Sequence, residues 1–229
     1  MSLRSSAVAA AWTAIVLGCA QKPAAQISTL DTAKVAIDST MQRADKSRIQ
    51  GSESAKVWLV IASDFQCPFC RAFHDDVYKR ILADYVATGK IRVAYVHHPM
   101  AAHPHAVVSA EAAMCAGVQD RFWQMHDALF ATQLNWSPRP DPTAVFDSLA
   151  TSLQLRMSDW RGCMASHKTR AMIDADNART KAAGVDGTPS FFIANRLAIV
   201  GAQPYGDFRA ALDSALAHAG PPTESTKRP

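Results

Sequence analysis

The chain has no apolar run long enough to cross a bilayer, no cluster of basic residues, no internal repeat and only five cysteines. Each absence excludes something. Ala7 to Gly18 is almost wholly apolar but is 12 residues long, well short of the ~20 that a membrane span needs. The net charge of +4 is mild and the basic residues are scattered, which gives no case for nucleic-acid binding. No self-similarity occurs at a solenoid or propeller period. The two cysteines that lie close together have no second Cys/His pair at ligand spacing, so a structural zinc site is disfavoured. What remains, 229 residues with 48% hydrophobic and 19% charged content, suits one soluble domain carrying an insertion or long extensions.

The N-terminus has the layout of an export signal. Arg4 precedes the Ala7 to Gly18 run, whose length matches a signal-peptide core. The run ends in Val16-Leu17-Gly18-Cys19, similar to a bacterial lipobox with Cys19 as the lipidated residue; cleavage after Ala20 by an ordinary signal peptidase is the alternative. Acylating Cys19, or removing it with the leader, leaves Cys67, Cys70, Cys115 and Cys163, an even number that suits an oxidising compartment. Residues 1–20 are therefore read as a signal segment. Residues 21–54, rich in Ala, Ser, Thr, Lys and Gln, are read as a flexible linker with a short helix around Thr32 to Arg43. The tail, 221–229, is expected to be disordered.

Between these ends the pattern alternates. Val57 to Ser63 is a continuous apolar run, expected as a buried parallel strand. Pro68 to Ala87 carries apolar residues at helical spacing, with Pro68 in the first turn, where its missing N–H is harmless. Ile91 to Val96 predicts a second strand, completing a βαβ unit. From about 103 to 183 the pattern is helical, over Ala106 to Ala116, Arg121 to Ala131, Pro142 to Leu153 and Ser158 to Ala183, the last capped by Ser158. Ser190 to Ala194 and Leu197 to Val200 predict a hairpin around Asn195-Arg196, and Tyr205 to Ala219 a final helix.

Cys67-Pro68-Phe69-Cys70 lies where the first strand gives way to the first helix. A helix N-terminus offers unpaired N–H groups and a positive dipole end, which stabilise a thiolate. Two thiols two residues apart at such a point make a thioredoxin-like redox motif. His97, His98, His103 and His105 crowd one stretch, but their His-Pro pairs mark a loop that lends polar edges to the site, and no metal is assigned. Phe122, Trp123, Met125, Leu129 and Phe130 form a helical stripe, expected as core. Cys115 and Cys163, on helices that can pack together, are candidates for a structural disulfide.

Asp64-Phe65-Gln66-Cys67-Pro68-Phe69-Cys70, followed far downstream by Gly187-Thr188-Pro189-Ser190-Phe191-Phe192-Ile193, resembles the DsbA family of bacterial thiol:disulfide oxidoreductases. The likeness is greater to its thioredoxin-4 branch, through Phe122-Trp123-Gln124-Met125-His126-Asp127 and Val200-Gly201-Ala202-Gln203-Pro204-Tyr205. The resemblance covers about Val57 to Leu216. It implies an α/β, thioredoxin-like fold over 55–220 with an all-helical subdomain inserted at about 103–183. It also implies that Cys67 is an exposed nucleophile, Cys70 the buried resolving thiol, and Thr188-Pro189 a cis-proline turn that, with Pro68 and Phe69, meets an extended substrate strand. Phe69 cannot donate to a thiolate, so the helix terminus is expected to be the main cause of a lowered Cys67 pKa, with intermediate oxidising power. Members of the family commonly carry an acid six residues before the first cysteine; this chain has Ile61 there, and Asp64 is expected to face elsewhere, leaving proton transfer from Cys70 to water.

The function expected from all this is an exported, lipid-anchored thiol:disulfide oxidoreductase acting on cysteines of envelope proteins, chiefly as an oxidase. It would be monomeric, need no dissociable cofactor, and be recycled by a membrane or periplasmic redox partner. A reductase or isomerase of the same fold, and a chaperone-like binding protein with a vestigial CPFC, are the alternatives. Isomerases of this kind usually carry an N-terminal dimerisation domain, for which 21–54 is too short.

Overall fold

The computed structural model describes residues 39–220. The expected signal segment with Cys19, the first part of the expected linker and the residues from 221 lie outside the described residues.

The first two elements correct the linker expectation. Helix α1 (Ser39–Ser47) and strand β1 (Ile49–Gly51) fall within the stretch read as a tether, yet both pack onto the domain. Ala44 is fully buried, and a Cβ on Gly117 would stand 2.5 Å from Ser47 Oγ, so α1 sits against its neighbour at a distance only small residues allow. Gly51 ends β1 at φ +104°, where a Cβ would meet the Ile91 carbonyl oxygen at 2.5 Å. The left-handed backbone and the close approach both call for glycine there.

Strand β2 (Val57–Ser63) leads to α2, which starts with Pro68–Phe73 and continues without a break to Val86, widening into π-type turns at His74–Tyr78 and Leu82–Val86. Strand β3 (Ile91–His97) follows. The helical subdomain consists of α3 (Ala106–Gly117), α4 (Phe122–Ala131), the short α5 (Gln133–Trp136), α6 (Thr143–Ser152), α7 (Met157–Ala165) and α8 (Arg170–Ala182). The single helix expected over Ser158 to Ala183 is therefore two, parted at His167, which sits at φ +49°. Ser158 lies inside α7, whose cap position is Arg156. Strands β4 (Ser190–Ile193) and β5 (Arg196–Val200) form the hairpin, turning through Ala194 and Asn195 at positive φ, and α9 (Tyr205–His218) closes the fold.

The sheet order is β1-β3-β2-β4-β5. Among the described strands only β2 and β3 run parallel, paired from Val57↔Ile91 to Ser63↔His97; β4 lies antiparallel on the other side of β2, with Ala62 opposite Ser190. Two apolar clusters result. One fills the space between the sheet, α2 and α9 around Leu59, Ile61, Phe191 and Phe208. The other fills the helical subdomain around Met125, Phe130, Trp136 and Trp160, and reaches Phe65, Cys67 and Cys70. Phe122, Met125, Leu129 and Phe130 of the aromatic stripe belong to this second core. Cys115 of α3 and Cys163 of α7 are joined by a disulfide across it.

The register places the C-terminal end of β2, the N-terminus of α2 and the start of β4 side by side. The dithiol lies at that junction.

Candidate active site

Strand β2 ends buried, and the chain turns sharply into α2. The Cys67 N–H donates to the Asp64 carbonyl at 3.1 Å, and the Arg71 N–H to the Cys67 carbonyl at 3.2 Å, which starts the helix. Cys67 occupies the cap position with extended backbone angles and Pro68 begins the first turn. Cys70, one turn on, faces inward.

Both cysteines are free thiols in this structure. The expectation of an exposed Cys67 needs correcting, because the residue is only 4% exposed while Phe69 beside it is 64% exposed. Thr188-Pro189 is a cis peptide, and Cys67 Sγ–H donates to the Thr188 carbonyl at 3.3 Å. The Thr188 hydroxyl is buried.

The two thiols differ sharply in acidity. The Cys67 pKa is lowered to about 6. The largest cause is the hydrogen bond from the Cys70 thiol, which outweighs burial; Thr188 and the backbone N–H groups of Cys70 and Phe69 add to it. The helix terminus thus contributes, but the neighbouring thiol comes first, a correction to the expectation that the terminus dominates. Cys70 is pushed well above a free thiol, first by burial and then by Cys67 itself. The Asp64 backbone N–H and the Ser63 hydroxyl work against that rise.

Ile61 sits in the apolar core of the sheet. Asp64 is 2% exposed and faces away from the thiols, as expected: its carboxylate accepts from Gln66 N–H at 2.8 Å, Met100 N–H at 3.0 Å and His103 Nδ1 at 2.7 Å. Three of the four crowded histidines go to separate partners. His98 meets the Thr180 hydroxyl at 2.6 Å, His103 meets Asp64, and His105 meets the Arg139 carbonyl at 2.7 Å. His97 is buried with its Nε2 unpartnered among the described residues, and burial lowers its pKa to about 3. The loop they occupy supports the site through Asp64 and through the His105 N–H, which donates to Gln66 Oε1 at 2.6 Å.

Among the described residues, one group of three possible metal donors does converge, His74, His126 and Asp127. Both histidines are hydrogen-bonded to the same carboxylate oxygen, at 3.1 and 2.8 Å. Those bonds hold Asp127 well below the usual carboxylate range in spite of burial, and they tie α2 to α4.

The sequence drew no attention to Ser63, Gln66 or Gln133. Gln66 Nε2 donates to Ser137 Oγ at 3.2 Å, and Gln133 Nε2 donates to the carbonyls of Phe65 and Cys67. Their one sequence signal is a glutamine at an inward-facing position.

A five-stranded sheet with an acidic thiol capping a helix, a buried thiol one turn on, a cis-proline turn beside them and a helical insertion defines a thioredoxin-fold protein with a DsbA-type dithiol. The chain belongs to the Thioredoxin_4 family, whose model, described as Thioredoxin, matches residues 43–214. It is 34% identical over 153 residues to Na(+)/H(+) antiporter NhaA 1 of Salinispora arenicola, which covers 66% of this chain and 22% of that protein. The chain thus spans about a fifth of such relatives. It is 20% identical over 156 residues to Disulfide bond formation protein D of Bacillus subtilis, covering 65% of this chain and 68% of that one. Among solved structures, oxidised BdbD from Bacillus subtilis superposes with a TM-score of 0.68 at 19% identity, over 74% of this chain and 92% of that chain, a likeness of fold.

Proposed function

We propose that this chain is an exported thiol:disulfide oxidoreductase that introduces disulfides into cysteine-containing proteins of the cell envelope. Cys67 is its nucleophile, Cys70 its resolving thiol, and Pro68, Phe69, Thr188 and Pro189 its substrate-facing surface. Cys19 is its lipid attachment point, and a separate redox partner restores its disulfide. The observation that carries the reading is the asymmetry of the pair: Cys67 lowered to about 6, Cys70 raised.

In the oxidising direction a substrate thiolate attacks Sγ of Cys67 in the Cys67–Cys70 disulfide. The S–S bond breaks, a mixed disulfide forms, and Cys70 leaves as a thiolate that takes up a proton. A second substrate thiolate attacks the substrate sulfur of the mixed disulfide, releasing Cys67 as a thiolate. Two electrons pass from the substrate dithiol to the enzyme. The low pKa of Cys67 makes it the better leaving group, and its stabilised thiolate favours the reduced enzyme, hence oxidation of the substrate. The Ser63 hydroxyl and the Asp64 N–H soften the cost of the transient Cys70 thiolate. A pKa near 6 rather than 3.5 places the oxidising power between thioredoxin and the strongest oxidants.

Surface chemistry supports a protein substrate. Of the four large apolar side chains that are prominently exposed among the described residues, Phe69, Leu134 and Val200 belong to segments that hold the site. Leu134 follows Gln133, and Val200 pairs with Ser190 beside Pro189. Oxidative refolding of a reduced test protein and insulin reduction, each against Cys67→Ser, test the proposal. Refolding faster than insulin reduction, with both lost in Cys67→Ser, is expected. Activity untouched by the substitution would overturn it in favour of a binding role, and insulin reduction alone would mark a reductase.

A further inference from the structure

Gln133 is 3% exposed and opens α5, the shortest helix of the insertion. Its side-chain amide donates to two carbonyls of the active-site turn, Phe65 at 2.7 Å and Cys67 at 3.0 Å. The Cys67 carbonyl is also the acceptor of the first bond of α2, from the Arg71 N–H. One primary amide, with two N–H groups, thus meets two carbonyls spaced two residues apart.

We infer that Gln133 is a positioning residue for the dithiol. It holds residues 65–67 so that the N–H groups of Phe69 and Cys70 stay aimed at Cys67 Sγ, and so ties the reactivity of Cys67 to the helical insertion. The inference rests on the oxidoreductase reading above and names a residue that serves that same site.

Three features favour a directed role over incidental packing. The other ties on the turn act elsewhere: Asp64 holds the Gln66 N–H, and Gln66 reaches His105 and Ser137. The side-chain link to the Cys67 carbonyl comes from Gln133. The contact also crosses between structural units, because α5 belongs to the helical subdomain while β2 and α2 belong to the sheet unit. Finally, donors aimed at the Cys67 carbonyl bring positive dipole ends close to a sulfur that works as an anion. Leaving buried carbonyls short of donors is costly, and without Gln133 the Cys67 carbonyl keeps only the Arg71 N–H.

The test measures the Cys67 thiolate in the full, reduced protein by its ultraviolet absorbance against pH, and its potential by equilibration with glutathione. Gln133→Met keeps the length of the side chain and removes both donors. Its thiolate midpoint is expected to rise by about one pH unit, a tenfold loss of acidity that corresponds to a potential about 30 mV less oxidising. Gln133→Glu turns a carboxylate toward the two carbonyls and is expected to raise the midpoint further; it carries the test if the Met variant does not fold. Ile173→Val, a core change in the same subdomain, serves as the control for lost stability and should lower the unfolding temperature with the thiolate midpoint unmoved. The inference is overturned if Gln133→Met, like Ile173→Val, loses stability while midpoint and glutathione equilibrium stay at their wild-type values. A shifted midpoint in a protein that neither oxidises nor reduces test substrates would uphold the positioning role and defeat the proposed function. Wild-type turnover with an unmoved midpoint would do the reverse.

Discussion

Cys67 and Cys70 are chemically alike in the unfolded chain and different in the fold because one caps a helix and the other is sealed beneath it. The donor that matters most to Cys67 is its own partner thiol, so the acidity of Cys67 belongs to the pair. Alkylation of the reduced protein by iodoacetamide should therefore follow a midpoint near pH 6, at a residue only 4% exposed. In Cys70→Ala, which removes the largest of these donors, the midpoint should move up toward that of a free thiol at about 8.5. An unchanged midpoint in Cys70→Ala would mean that the helix terminus alone sets the acidity. The CPFC and Thr-Pro motifs made the site legible because their chemistry is carried by residue type and spacing. The supports were not legible. Gln66 and Gln133 act through side-chain amides on backbone atoms distant in sequence, and no local pattern records such a contact. Asp64 was legible in part: its place at a strand end indicated that it faces elsewhere, but its partners Met100 and His103 lie more than thirty residues away.

At the scale of elements, the segment taken for a tether is the clearest departure. Residues 39–51 are polar and β1 is three residues long, so the sequence announced no more than a short helix around Thr32 to Arg43. What folds them is tertiary. Arg48, 6% exposed, forms a hydrogen-bonded ion pair with Asp176 of α8 and also donates to the Tyr95 carbonyl at 3.3 Å. Asp176 is fully buried and also accepts the His97 N–H at 3.1 Å. Burial alone would raise its pKa, yet Arg48 and His97 hold it below the ordinary range. Removing one member of a buried pair costs about 3–5 kcal/mol, here offset only in part because Asp176 is also paired with the more exposed Arg179 and Arg48 with Asp45. Arg48→Ala should thus lower chemical-denaturation stability by about that amount, and Arg48→Ala/Asp176→Ala should recover part of it. A loss below about 1 kcal/mol would mean that α1 and β1 are dispensable decoration. The βαβ unit, the hairpin and α9 were read correctly because their apolar periods are strong. The expected long helix over Ser158 to Ala183 failed because its break at His167 uses a left-handed non-glycine residue, for which no glycine or proline gives warning.

For the whole molecule, the arrangement that seals the dithiol also buries histidines. His97 lies between the sheet and the helical subdomain, near Arg48, Asp176 and His126, and burial dominates its electrostatics. His126 sits among Phe65, Tyr78, Tyr95, Trp123 and Phe130, and burial lowers its pKa despite its bond to Asp127. Both are neutral in the fold at pH values where a free histidine has taken up a proton. Below about pH 6.5, the unfolded value, the unfolded chain therefore binds more protons than the native state, and stability falls as the pH falls. For His97 the fall continues until its folded pKa of about 3 is reached, with a slope of about 1.4 kcal/mol per pH unit for each histidine fully protonated only when unfolded. The depressed carboxyl of Asp176 acts in the same direction, but only below about pH 4, where its unfolded counterpart begins to protonate. Denaturant melts between pH 7 and pH 4 should show stability declining before any carboxyl titrates, and His97→Gln should flatten the slope by about one proton's worth. A stability flat from pH 7 to pH 5 would mean that neither buried histidine stays neutral. The same measurement bears on the working of the site, since the Cys67 thiolate titrates inside this window near pH 6. Acidification then withdraws the reactive thiolate while the buried histidines stay neutral in the fold, so dithiol reactivity should follow a single titration near pH 6 even as stability falls.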